Sequence, residues 1–122
     1  MGFHFCTHPW EVRHVPNGIQ VTLARRDLDP YSVSSLVEDL YELVLESGQR
    51  DLYLDFGEIQ MMPSVIIGKV VALNTKLGER HGRVIVINLD PAVHDTFRAT
   101  RVGDVLELRL RDGGDTDAGS AF

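Results

Sequence analysis

Ser64 is the residue whose surroundings most suggest chemistry. It follows an apolar stretch, a short loop and Pro63, and it opens a run of helical spacing. A serine at that point can act as the helix N-cap, its hydroxyl accepting from an early backbone N–H. It can also carry a phosphate, which adds about −1.5 to −2 charges at pH 7 and faces the positive helix end. Asp55 stands near the end of the preceding apolar stretch. A desolvated acid there could work in catalysis, while the plainer role at a strand end is to accept backbone N–H bonds. His4, Cys6 and His8 alternate, so on a strand they would offer two imidazoles and a thiolate from one face. Their spacing matches no standard zinc pattern, and a terminal strand with Phe3 and Phe5 turned inward is the simpler account. His81 falls at the end of a helical pattern, where the dipole favours an imidazolium, and His94 beside Asp95 reads as solvated surface. The sequence contains no GxGxxG, Walker A or GxSxG motif. No catalytic set, cofactor or metal is expected.

The elements that would position Ser64 follow from periodicity and punctuation. Trp10–His14 and Ile19–Ala24 read as strands joined through Pro16-Asn17-Gly18, with Asn-Gly as the hairpin signal because both residues accept positive φ. Asp29-Pro30 opens a helix that runs through Val33, Leu36, Val37, Leu40, Leu43 and Val44 to a stop at Gly48. Leu52–Phe56 is a short strand broken by Gly57. Ser64 to about His81 is a second helix, mostly apolar on the side of Ile67, Val70, Val71, Leu73, Asn74 and Leu77, and closed by Gly82. Val84–Ile87 is an uninterrupted apolar run, which suits a central strand buried on both faces. Asp90-Pro91 opens a third helix with Val93 and Phe97 inward and Gly103 as its end. Val105–Leu110 alternates as a last, edge strand. The spacing predicts an α/β fold in the order β-β-α-β-α-β-α-β, with a mixed sheet of about five strands and three or more helices packed on it. Residues 1–110 would form the domain. Residues 111–122, rich in Gly, Asp and Ser, read as a flexible tail.

Composition bounds the function. The chain of 122 residues holds 12 Lys and Arg against 18 Asp and Glu, a net charge of −6. That balance argues against a general binder of nucleic acid or of anionic membranes, which needs a basic face. Its single cysteine, Cys6, excludes an intramolecular disulfide. No apolar run is long enough to span a bilayer, and the first residues lack the charged and apolar regions of a signal peptide. A cytoplasmic protein is expected.

Leu52-Tyr53-Leu54-Asp55-Phe56, then Gly57-Glu58-Ile59-Gln60-Met61-Met62-Pro63-Ser64, then a helix with Gly68, resembles the signature of STAS domains, the family of the anti-sigma factor antagonists. Their usual pattern is a strand ending in Leu-Asp-Phe, a short loop, then Asp-Ser-Ser/Thr-Gly-Leu-Gly and a helix. Pro91-Ala92-Val93, Phe97 and Val102-Gly103-Asp104-Val105-Leu106 look like the family's third helix and last strand. The resemblance covers residues 10 to 110. Aligned on Gly68, it places the family's phosphorylated serine on Ser64 and its leucine on Ile67. Pro63, Val65 and Ile66 stand where the family has its acid, second hydroxyl and first glycine.

The resemblance implies a non-catalytic regulatory module that binds an anti-sigma factor with serine-kinase activity, with Ser64 as the phosphorylation candidate. Its docking surface would be Met61, Met62, Pro63, Ser64, Val65, Ile66 and Gly68. A homodimer is compatible with it, and neither nucleic acid nor membrane is a partner. Two other readings stay open: a STAS scaffold subunit of a larger signalling assembly, and a small-ligand-binding domain. The last would use the C-terminal strand ends near Gly57, Leu89 and Asp90.

Overall fold

The computed structural model describes residues 10–28, 35–102 and 105–111. Its elements are β1 (Glu11–Val15), β2 (Gly18–Thr22), a 3-10 turn (Arg25–Leu28), α1 (Leu36–Ser47), β3 (Asp51–Asp55), α2 (Ser64–Gly78), β4 (Val84–Leu89), α3 (Pro91–Ala99) and β5 (Glu107–Leu110). The strands form one mixed sheet in the order β1-β2-β3-β4-β5. β1 pairs antiparallel with β2, and every other pair is parallel. This is the α/β arrangement and element order that the sequence pattern predicts.

Register explains which face is dry. Ile19 pairs with Leu52 and Leu52 with Val84, while Val21 pairs with Leu54, Leu54 with Val86 and Val86 with Leu108. Paired residues project to the same side, so these rows form one aliphatic face. Leu36, Leu40 and Val44 of α1 and Ile66, Ile67, Val70, Leu73 and Leu77 of α2 are buried in the same cluster. α3 adds Val93 and Phe97, and the Phe97 ring meets Phe56 at 6.0 Å between centroids. On the other face Gln20, Tyr53, Ile85 and Glu107 form a row, of which only Ile85 is fully buried. Val84, Ile85 and Val86 are all buried in β4, an interior strand next to the middle strand β3.

Local signals hold in several places. Gly48 ends α1 at φ 77°. Asp90 caps α3 by accepting from the Ala92 N–H at 2.9 Å, with Pro91 as the first helical residue. β5 is an edge strand. The Asp29-Pro30 opening, the Gly103 stop, the His4-Cys6-His8 triplet and residues 112–122 lie outside the described residues.

Two details differ from expectation. The hairpin turns on Pro16-Asn17, and Gly18 is already the first residue of β2, paired with Val15. Asn17 alone takes positive φ, at 68°. Proline before it sets φ near −65°, which selects a type II-like turn over the mirror-image turn that Asn-Gly favours. The second helix stops at Gly78 rather than at His81. His81 takes φ 67°, and the Gly82 N–H reaches back to the Leu77 carbonyl at 2.8 Å. His81 therefore ends the helix through its backbone. Gly82 is required by proximity, since a Cβ there would lie 2.1 Å from the Arg50 carbonyl oxygen.

Candidate functional site

The loop after β3 is pinned at its start and comes to the surface toward its end. The Asp55 carboxylate accepts from the Gly57 N–H at 2.8 Å, the strand-end role expected of it. The Phe56 N–H donates to the Ile87 carbonyl, and the Ile59 N–H to that of Phe56. Phe56 and Ile59 are both fully buried, which anchors the first half of the loop by hydrophobic burial. Beyond them the chain surfaces. Met61 is 83% exposed, whereas Met62 is half-buried and packs against the core.

Pro63, in extended conformation at φ −65° and ψ 144°, occupies the N-cap position of α2. Its carbonyl accepts from the Ile66 N–H at 3.0 Å. Ser64 is consequently the first helical residue and not the cap, and the cap position provides no side-chain hydrogen bond. The correction has a simple cause: Pro63 can hold the extended cap conformation, and a residue following it is free to enter the helix. Ser64 is exposed. The first turn of α2 contains no acidic residue, so no carboxylate of that turn offsets the partial positive charge of the helix end.

The seven residues expected on one docking surface divide between surface and core. Met61, Pro63, Ser64 and Val65 are exposed together, and Gly68 is exposed one turn further on. Val65 is 55% exposed, while Ile66 is 0% exposed and belongs to the core. Of the two bulky residues at the motif positions for a second hydroxyl and a glycine, only Val65 meets solvent. Ile66 adds volume beneath the site.

Two positioning residues escaped the sequence pattern. Asn74, placed on the apolar side of α2, donates from Nδ2 to the Val105 carbonyl at 3.1 Å and accepts the Val84 N–H at 2.9 Å through Oδ1. It ties α2 to the start of β4 and to the approach to β5. A lone amide within an apolar stripe was the available signal, because a polar group there needs partners. Arg111 donates its backbone N–H to the Leu89 carbonyl at 2.9 Å, and its guanidinium reaches Asp90 at 3.6 Å and the Gly57 carbonyl at 3.4 Å.

A polar hollow lies beside the carboxyl ends of the central strands, lined in part by Glu11, Arg13, Thr22, Asp55, Glu58 and Asn88. Among the described residues its lining carries carboxylates and one guanidinium but no histidine, cysteine or lysine.

The geometry is that of an exposed hydroxyl on a helix end, with apolar neighbours, at the C-terminal edge of a mixed sheet. The STAS domain profile matches residues 10–112. The chain belongs to the STAS domain family. Solved structures of the same shape agree. TM1081 from Thermotoga maritima superposes with a TM-score of 0.69 at 12% identity, over 87% of this chain and 90% of that one. The anti-sigma factor antagonist SpoIIAA in its unphosphorylated form gives 0.67 at 19% identity, over 81% and 86%. Bacillus SpoIIAA in its phosphorylated form gives 0.60 at 18%, over 81% and 89%. At these identities the likeness concerns the fold. Among the described residues of this STAS domain, no helix is long and apolar enough to cross a membrane.

Proposed function

We propose that this STAS domain is a non-catalytic regulatory module of the anti-sigma factor antagonist type. Its partner is an anti-sigma factor with serine-kinase activity, and phosphorylation of Ser64 dissociates the pair. The observation that supports this reading best is the exposed cluster at the start of α2, where Ser64 lies between Met61, 83% exposed, and Val65, 55% exposed. Exposed apolar side chains around a hydroxyl form a surface that a neutral serine lets a partner cover. A doubly charged phosphate would leave that surface hard to desolvate. The similarity to SpoIIAA, solved with and without phosphate, points the same way.

The test is incubation with cognate anti-sigma kinases and ATP, read by intact mass, together with binding of wild type and Ser64→Asp to each kinase. Phosphate on Ser64 and loss of binding in Ser64→Asp support the proposal. No added phosphate from any kinase, with equal binding by both proteins, overturns it.

A further inference from the structure

α2 has two apolar sides, and the fold uses one. Ile66, Ile67, Val70, Leu73 and Leu77 face the core. Val65, Gly68 and Ala72, spaced by three and four residues, form a second stripe that is exposed. A helix that is apolar on most of its circumference belongs in a buried setting, yet here half of it borders solvent. Val37 of α1 forms the opposite wall, so the stripe is the floor of a groove of about 460 Å³ between the two helices.

Gly68 has no internal reason to be glycine. A Cβ there meets nothing within 4 Å. Glycine inside a helix is about 1 kcal/mol less favourable than alanine. Its smallness leaves room that the described residues do not fill, and a glycine in the floor admits a close backbone at that point.

The charge at the rim is equally specific. The sequence has two lysines, Lys69 and Lys76, and both line this groove. They lie seven residues apart on α2, about two helical turns. The Lys76 ammonium stands 4.8 Å over the Tyr41 ring of α1, so this side chain reaches from α2 toward the opposite wall. In a chain of net charge −6 this is a local cationic edge. Glu38 on the α1 side also lines the groove.

We infer that the groove between α1 and α2 docks an amphipathic helix of a partner protein, with small apolar residues in the trough and acidic residues toward Lys69 and Lys76. A trough walled by helices offers no free backbone edge for an added strand, so recognition falls to side chains in the helix-in-groove mode. Complementary charge then sets orientation and partner choice. The inference rests on the proposed docking surface in one respect, because Val65 and Gly68 belong to both.

The probe is a peptide of about 20 residues, long enough to be helical alone, with a Leu/Ala stripe flanked by glutamates, and a counterpart flanked by lysines. Backbone amide shifts of the whole protein are followed during titration, with affinities read at low and high salt. The expected result is binding of the acidic peptide at least about ten-fold tighter than the basic one, weakening with salt. Shifts should map to Val37, Val65, Gly68 and Ala72. Lys69→Glu/Lys76→Glu should reverse the preference. Gly68→Leu fills the floor, should melt no lower than wild type, and should still lose binding at least about ten-fold, or 1.4 kcal/mol. Equal binding of both peptides, no binding, shifts elsewhere, or full binding by Gly68→Leu overturns the inference. Self-association abolished by Gly68→Leu would put a second copy in the groove and overturns it too. A kinase partner that needs Ser64 but binds Gly68→Leu normally leaves the proposed function standing and removes the groove; the converse removes the proposed function alone.

Discussion

Arg111 holds Gly57. The guanidinium Nη2 of Arg111, one residue past β5, lies 3.4 Å from the carbonyl oxygen at the start of the loop that carries Met61. The same side chain reaches Asp90, the cap of α3, at 3.6 Å. One side chain thus links the end of the last strand, the third helix and the loop before Ser64. The proposed docking surface is braced through a residue it does not contain.

Arg111→Ala should loosen the loop more than it lowers global stability. The side chain is 42% exposed, and its ion pair with Asp90 is long. Such pairs contribute about 0–1 kcal/mol. Thermal unfolding should shift by no more than that contribution implies, while amide exchange at Glu58 and Gln60 rises. Unchanged exchange across the loop would deny Arg111 its bracing role.

The mapping from sequence to structure succeeded where one residue type decides the outcome. Alternation in β2 and β3, the apolar run of β4 and the Asp90-Pro91 start of α3 each rest on local physics that tertiary contacts reinforce. It failed where neighbours compete for one backbone position. Pro16 and Asn17 outvote Asn17 and Gly18 for the turn, Pro63 displaces Ser64 from the cap, and His81 rather than Gly82 takes the left-handed position. The family pattern picks out the candidate site, but it could not separate Val65 from Ile66, because exposure at adjacent helical positions depends on how α2 is rotated over the sheet. The contact of Arg111 with Gly57 leaves no periodic trace at all, and the amide in the apolar stripe marks Asn74 without naming Val105 as its partner.

Gly82→Ala should be among the more damaging single-methyl changes in the domain. The added Cβ would start 2.1 Å from the Arg50 carbonyl oxygen, a backbone atom that cannot rotate away. Relief requires the α2–β4 connection or the α1–β3 connection to move. Overpacking of this kind costs about 1–3 kcal/mol. Urea denaturation should show the loss, and a variant as stable as wild type would mean that the two connections part easily.

Phe56 and Phe97 should be coupled. Both are fully buried, and their rings are tilted by 58° with centroids 6.0 Å apart. Either alanine substitution should cost about 3–5 kcal/mol through lost burial and an unfilled cavity. Aromatic pairs carry about 0.5–1.5 kcal/mol beyond burial. The milder cycle of Phe56→Leu and Phe97→Leu should therefore show a non-additive term of that size. Strict additivity would mean that the rings share a cavity wall without interacting.

Ser64 allows stability and binding to be separated. Because Pro63 holds the cap position and no side-chain cap bond is made there, Ser64→Ala should behave as an ordinary surface change, within about 0.5 kcal/mol of wild type. A serine serving as cap would instead cost about 0.5–2 kcal/mol on replacement. Ser64→Asp places a carboxylate in a first turn that has none. Attraction to the helix end should stabilise the fold by about 0.3–1 kcal/mol, and the gain should shrink with salt. The same variant should lose the proposed kinase partner, because the charge enters a surface otherwise made of Met61, Pro63 and Val65. Urea denaturation at two salt concentrations, run beside the binding assay, gives both numbers from one preparation. A marked loss of stability in Ser64→Ala would return the residue to a capping role. A stabilised Ser64→Asp that still binds would show that charge at this helix end does not control the interface.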